Sequence, residues 1–127
     1  MAPVPRPRVL LADDYAGVLA ALRRLLAPTC DVVGWVEDGN ALLDAALRLR
    51  PDVIVLDVAL PQIDGLEACR RIKDAMPETK VVILTASDDV ETRQEACSAG
   101  ASAFVPKDSL GDQLLGAIDK AFLGDTS

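Results

Sequence analysis

Pro51-Asp52-Val53-Ile54-Val55-Leu56-Asp57 is the stretch that decides how this chain folds. Four consecutive apolar residues, mostly β-branched, end in an acid. A run that does not alternate apolar with polar marks a strand buried on both faces, and a carboxylate directly after it is costly to bury unless it has a use. Working outward, comparable runs stand at Val9-Leu10-Leu11-Ala12, Val32-Val33-Gly34-Trp35-Val36, Val81-Val82-Ile83-Leu84 and Ala103-Phe104-Val105. Between them the apolar residues switch to helical spacing. Tyr15, Val18, Leu19, Leu22, Leu25 and Leu26 share one stripe; Leu42, Leu43, Ala46 and Leu49 a second; Leu66, Cys69, Ile72 and Met76 a third. Leu110, Leu114, Ala117, Ile118 and Ala121 form the last, and Asp88 to Ala99 carries a weaker amphipathic pattern. Pro28, Pro51 and Pro77 fall at or just past the ends of helical patterns, while Asp38-Gly39 and Ala99-Gly100 read as turn or C-cap signals. Five strand-helix units in series predict an α/β fold, a (βα)₅ three-layer sandwich around an all-parallel five-stranded sheet. No repeat or linker divides it, so residues 1–127 are read as one domain with an ordered core over about 8–123, a loose N-terminal arm and a frayed tail near Gly124 to Ser127.

The composition narrows the chemistry. Of 127 residues, 13 are Lys or Arg, 20 are Asp or Glu and none is His, for a net charge of −7. An imidazole base, a His-held zinc or haem and a phosphohistidine are all excluded. The acidic balance argues against direct binding to nucleic acid or to an anionic membrane surface. With half the residues hydrophobic, the chain can bury about two-thirds of its unfolded surface without disulfides or metal. Cys30, Cys69 and Cys97 show no metal-ligand spacing and are read as small core or helix-face residues. Trp35 is read as packing at the edge of the sheet. No apolar run approaches signal-peptide or membrane-span length, so the expectation is a soluble, cytoplasmic protein with no membrane partner.

Ligands of open parallel sheets bind outside the carboxyl ends of the strands. The first strand ends in Asp13-Asp14, the third in Asp57 and the fourth in Thr85, while Lys107 follows the fifth by two residues. Glu37-Asp38-Gly39, after the second strand, reads as a turn. Three carboxylates gathered at one end repel each other, so a pKa must rise or a cation must neutralise them. An all-oxygen set with few protein ligands suits Mg²⁺, or Mn²⁺ in its place. One carboxylate then remains as a nucleophile toward phosphorus, and Lys107 and the Thr85 hydroxyl face the charge that develops on the transferred group. Each residue also has a plainer use. Asp13-Asp14 suits a helix N-cap, Thr85 a strand-end cap and Lys107 the surface.

Taken together, Asp13-Asp14, Asp57 followed by Pro61 and Asp64-Gly65, Thr85-Ala86 and Phe104-Val105-Pro106-Lys107 resemble the receiver domain of two-component response regulators, over about Val9 to Phe122. The resemblance implies a flavodoxin-like sheet of strand order 2-1-3-4-5. It further implies that Asp57 accepts a phosphoryl group from the phosphohistidine of a sensor histidine kinase, and that Asp14, Asp57 and the main-chain carbonyl of Ala59 bind Mg²⁺, with Asp13 acting mainly through water. Lys107 and the metal would assist in-line attack by Asp57. Thr85 would then shift toward the phosphoryl oxygen and Phe104 turn inward, remodelling the face made by helix 4, strand 5 and helix 5. Such a protein is a self-phosphorylating and self-dephosphorylating acceptor, not a turnover enzyme. For Phe104 the plainer alternative is core packing.

Lys107-Asp108-Ser109 with Leu114-Leu115 and Ala117-Ile118 resembles the subfamily that precedes a helix-turn-helix DNA-binding domain. No DNA-reading element is present before Ser127, so the chain is either a single-domain regulator or an excised N-terminal domain, the latter being favoured. The expected output is control of transcription, with DNA reached only through an effector domain and a homodimer as an activated form. Ala59, Leu60 and Ser87 depart from the commoner family residues, and Ala59 opens the approach to Asp57. A phosphatase of the haloacid-dehalogenase type lacks its second acid at Ala59, a dinucleotide site lacks a glycine-rich loop, and a cobalamin module lacks its histidine. The alternative that survives is a receiver-like interaction domain that works without phosphorylation.

Overall fold

The computed structural model describes residues 6–124, so the outer part of the expected N-terminal arm and Asp125-Thr126-Ser127 lie outside the described residues. Strands β1 (Arg8–Ala12), β2 (Asp31–Val36), β3 (Val53–Asp57), β4 (Lys80–Thr85) and β5 (Ala103–Pro106) alternate with helices α1 (Ala16–Leu26), α2 (Gly39–Leu49), α3 (Gly65–Ala75), α4 (Val90–Ser98) and α5 (Leu110–Leu123). A short 3₁₀ turn, Lys107–Ser109, leads into α5. The sheet is parallel throughout and ordered β2-β1-β3-β4-β5, the expected flavodoxin-like order.

Each strand sorts its residues between two cores, because successive side chains point to opposite faces. Leu10, Ile54, Leu56, Val81 and Ile83 meet Leu42, Ala46, Cys69, Ile72 and Ala96 from α2, α3 and α4. Val9, Leu11, Val53, Val55, Val82 and Leu84 meet Leu19, Leu22, Leu114 and Ile118 from α1 and α5. Both faces of β3 are therefore dry, as its unbroken apolar run predicts.

The helix starts carry three carboxylate caps, in which an acid side chain accepts a free first-turn amide. Asp38 accepts from Ala41 N (2.7 Å), Asp64 from Glu67 N (2.9 Å) and Asp89 from Thr92 N (2.7 Å). Asp38-Gly39 is thus the start of α2, not a turn or C-cap as expected. Gly39 is required there because a Cβ would strike Ile63 of the β3–α3 loop, whose Pro61 carbonyl accepts the Gly39 amide at 3.1 Å. Ala99-Gly100 does close α4, with Gly100 in the left-handed region at φ 96°. Tyr15 leaves its expected stripe. It sits at the N-cap position of α1, 69% exposed, with no side-chain cap bond.

The helix read as weakest, α4, is real but loosely held, for Ala96 is its one buried residue. Trp35 stands on the outer strand β2 about half exposed, with the Arg23 guanidinium 3.8 Å from its ring centroid, so it is covered by a cation rather than packed into the sheet. Cys30 and Cys69 are buried and Cys97 is exposed. Among the described residues no helix is long and apolar enough to cross a membrane.

Candidate functional site

The carboxyl ends of β1, β3 and β4 bring Asp13, Asp14, Asp57 and Thr85 to one edge of the sheet, and the turn after β5 adds Lys107. Asp57 is the last residue of β3 and pairs in register with Leu84 of β4. Strand pairing continues one residue further through Val58 N to Leu84 O (2.9 Å), which fixes the Asp57 backbone. Gly65 closes the loop beneath it by donating to Val58 O at 2.9 Å. A Cβ on Gly65 would collide with the Asp57 carbonyl oxygen and lie 2.8 Å from Val58 Cα.

Lys107 Nζ lies between two buried acids, 3.0 Å from Asp57 Oδ2 and 2.9 Å from Asp13 Oδ2. Asp13 is 0% exposed and Asp57 4%. The second Asp57 oxygen accepts from Ala59 N at 3.3 Å, and Asp13 Oδ1 accepts from Tyr15 N at 2.9 Å. Asp13 therefore assists the entry to α1 without being its N-cap. Burial raises the Asp57 carboxyl above its ordinary range, against the opposing pull of Lys107 and the Ala59 amide. Burial also works against the Lys107 charge, but the carboxylates of Asp13 and Asp57 outweigh it and raise the ammonium pKa.

One ammonium facing three acids leaves the site short of positive charge. One oxygen from each of Asp13, Asp14 and Asp57 lies within 4.8 Å of the others. Asp13 Oδ2 is fully buried and, although beside Lys107, has no hydrogen bond of proper alignment. A hard, all-oxygen cluster of three acids with a single ammonium among them fits a divalent cation such as Mg²⁺. The exposed Asp14 leaves that cluster open to solvent, and Ala59 is also exposed.

Thr85 is 2% exposed, and both of its hydrogen bonds go to Ser87: Oγ1 donates to Ser87 O (2.8 Å) and accepts from Ser87 N (3.0 Å). It therefore shapes the β4–α4 loop, while the cap of α4 is Asp89. Phe104, partly buried, packs against the core beneath α4, and the Arg93 guanidinium covers its ring at 4.7 Å from the centroid. Arg93 has no signature in the sequence, since an exposed arginine on a helix without an apolar stripe looks like any solvated cation. Gly65 was visible as part of Asp64-Gly65, although the close approach that demands it was not. Leu60, an atypical residue in the loop, is buried in the core beside α3.

Comparison with known proteins places this geometry. Residues 9–119 match the response regulator receiver domain. The chain is 39% identical over 120 residues to the uncharacterized transcriptional regulatory protein YxjL of Bacillus subtilis (strain 168), covering 93% of the chain and 55% of that protein. It is 38% identical over 120 residues to the response regulator MprA of Mycobacterium sp. (strain KMS), covering 94% of the chain and 52% of MprA. The chain thus spans about half the length of these relatives. Its backbone superposes on the signal receiver domain of the putative response regulator NarL from Mycobacterium tuberculosis with a TM-score of 0.90 at 28% identity, over 95% of the chain and 99% of that domain. A LuxR-family two-component response regulator from Aurantimonas sp. SI85-9A1 gives 0.89 at 30% identity, over 94% and 87% of the two chains. The parallel sheet, the acids at its carboxyl edge and the lysine between them belong to one scaffold, and the chain is a member of the response regulator receiver domain family.

Proposed function

We propose that this domain is a phosphorylation-driven switch in which Asp57 accepts a phosphoryl group from the phosphohistidine of a sensor histidine kinase. The observation that carries the reading is the buried Asp57 carboxylate, held by Lys107 at 3.0 Å beside two further acids. In the transfer an Asp57 carboxylate oxygen forms a bond to phosphorus as the donor's N–P bond breaks, and the departing imidazole keeps the electron pair. The chain has no histidine, so the phosphohistidine is supplied from outside these 127 residues.

Rigidity supplies the aim. Asp57 is fixed by strand pairing and by the Gly65 contact, which holds the nucleophile in place before the donor arrives. Lys107 is positioned to stabilise the equatorial phosphoryl oxygens, and Thr85 to donate to one of them after its bonds to Ser87 break. Asp14, Asp57 and the Ala59 carbonyl would hold Mg²⁺, with Asp13 acting through water. When bound, the ion neutralises charge on the acids and on the phosphoryl oxygens. The small, exposed Ala59 leaves the approach to Asp57 open to the donor and, later, to hydrolytic water.

The proposed relay runs from Thr85 through α4 to Phe104 and the α4-β5-α5 face, where two activated copies pair. Both relatives named above are called regulators, YxjL explicitly a transcriptional one, and control of transcription is the proposed output. DNA would be contacted by an effector domain rather than by a receiver of net charge −7.

Incubation with phosphoramidate, with and without Mg²⁺, tests the reading by intact mass. The expected result is one phosphoryl group gained only with Mg²⁺ and none by Asp57→Asn. Equal gain by the variant overturns the assignment.

A further inference from the structure

Arg93 joins three parts of the molecule that the core leaves weakly connected. With Ala96 as its one buried residue, α4 (Val90–Ser98) depends on contacts outside the core for its seat on the sheet. Arg93 supplies two of them. Its guanidinium lies over the Phe104 ring of β5 at 4.7 Å, and its Nη2 lies 2.6 Å from Asp88 Oδ1 in the β4–α4 loop. Asp88 directly follows Ser87, whose amide and carbonyl hold the Thr85 hydroxyl. A continuous line of contacts therefore runs from Thr85 through Ser87, Asp88 and Arg93 to Phe104.

We infer that Arg93 is a positioning residue that latches Phe104 and the β4–α4 loop in the unphosphorylated arrangement, and so limits how readily Asp57 is phosphorylated. The inference rests on the proposed phosphorylation of Asp57. The Thr85 hydroxyl has one proton, and it is committed to the Ser87 carbonyl. Turning that proton toward a phosphoryl oxygen on Asp57 releases Ser87 and shifts the loop that carries Asp88. A displaced Asp88 draws the guanidinium off the ring, so the stack and the phosphoryl-bonded Thr85 belong to different states. A contact made in one state alone biases the equilibrium by its own strength. Because both Arg93 and Asp88 side chains are about half exposed, 51% and 47%, that bias is modest, about two- to five-fold.

The test compares Arg93→Gln, Arg93→Lys, Phe104→Leu and the Arg93→Gln/Phe104→Leu pair with the unmodified chain. The initial rate of phosphorylation by phosphoramidate with Mg²⁺ is read by intact mass, and amide hydrogen exchange over residues 86–93 is read without phosphodonor. Arg93→Gln is expected to raise both rates about two- to five-fold. Arg93→Lys, which keeps the charge toward Asp88 but loses the planar stack, should fall between. In the double variant the two effects should not multiply, because they remove the same contact. A purely structural role would loosen α4 and lower the melting temperature without accelerating phosphorylation, and that outcome overturns the latch. So does an Arg93→Gln rate equal to or below the parent's, or full multiplication in the pair. If the unmodified chain gains no phosphoryl group, the phosphorylation reading fails. The latch then falls with it, whereas a parent that is phosphorylated and an Arg93→Gln variant that is no faster refute the latch alone. Unchanged exchange over 86–93 refutes the hold on the loop in either case, and faster exchange without faster phosphorylation marks a merely structural contact.

Discussion

Lys107→Met removes one charge from the carboxyl edge while nearly conserving the length of the side chain. In the parent, Nζ is shared between Asp57 Oδ2 and Asp13 Oδ2 at 3.0 and 2.9 Å. Stripping one partner from a buried ion pair costs about 3–5 kcal/mol. Two features lower that figure here. The Lys107 side chain is 23% exposed, so water already screens part of the interaction. In addition, an abandoned carboxyl can take up a proton, which at neutral pH caps the penalty at about 4 kcal/mol for an ordinary acid and below that for Asp57, already raised by burial. The expected loss is about 2–4 kcal/mol, or a melting temperature lower by roughly 8–15 °C for a domain of this size. Differential scanning fluorimetry in EDTA reads it directly. Added Mg²⁺ should then narrow the gap, because the cation supplies the missing positive charge to the variant and must share the site with the ammonium in the parent. A Lys107→Met protein that melts within about 2 °C of the parent in EDTA, or a gap that widens with Mg²⁺, would refute the charge argument.

Three further outcomes follow from the same geometry. Gly65→Ala should destabilise the fold by about 1–3 kcal/mol in chemical denaturation, since its Cβ meets rigid backbone at Asp57 and Val58 rather than a movable side chain. A thiol reagent should modify Cys97 rapidly in the native protein and reach Cys30 and Cys69 only after unfolding, for both are buried and burial pushes the Cys69 thiol up to about 11. The Lys107 pKa is raised on folding, so its stabilising contribution is complete below the ordinary value of 10.5 and is lost as pH rises through the folded value. Alkaline denaturation should therefore be shallower in Lys107→Met.

Much of the architecture was legible because its signals are local. The unbroken run Val53 to Leu56 announces a strand dry on both faces, and the acid that ends it lands at the carboxyl edge whatever the details of the loops. Asp13, Asp14, Asp57 and Lys107 are legible for the same reason: position after a strand end is enough to bring them together. Asp38-Gly39 was misread because a short acid followed by glycine serves a turn and a helix start equally well. The deciding fact, the approach of Ile63 to Gly39, lies in a loop more than twenty residues away. Tyr15 kept the helical spacing without the helix, since α1 begins one residue later. The Arg93–Phe104 stack was out of reach altogether, as it joins two elements through space, and neither the apolar run around Phe104 nor the weak pattern around Arg93 says that the two meet.

The most direct test of the central claim is the location of the phosphoryl group. After treatment with phosphoramidate and Mg²⁺, borohydride reduction converts an aspartyl phosphate to homoserine, and peptide sequencing by mass spectrometry finds the altered position. Homoserine at position 57 alone is the predicted result. Homoserine at position 13 or 14, or a folded protein with no homoserine, would contradict the assignment of Asp57 as the phosphoryl acceptor.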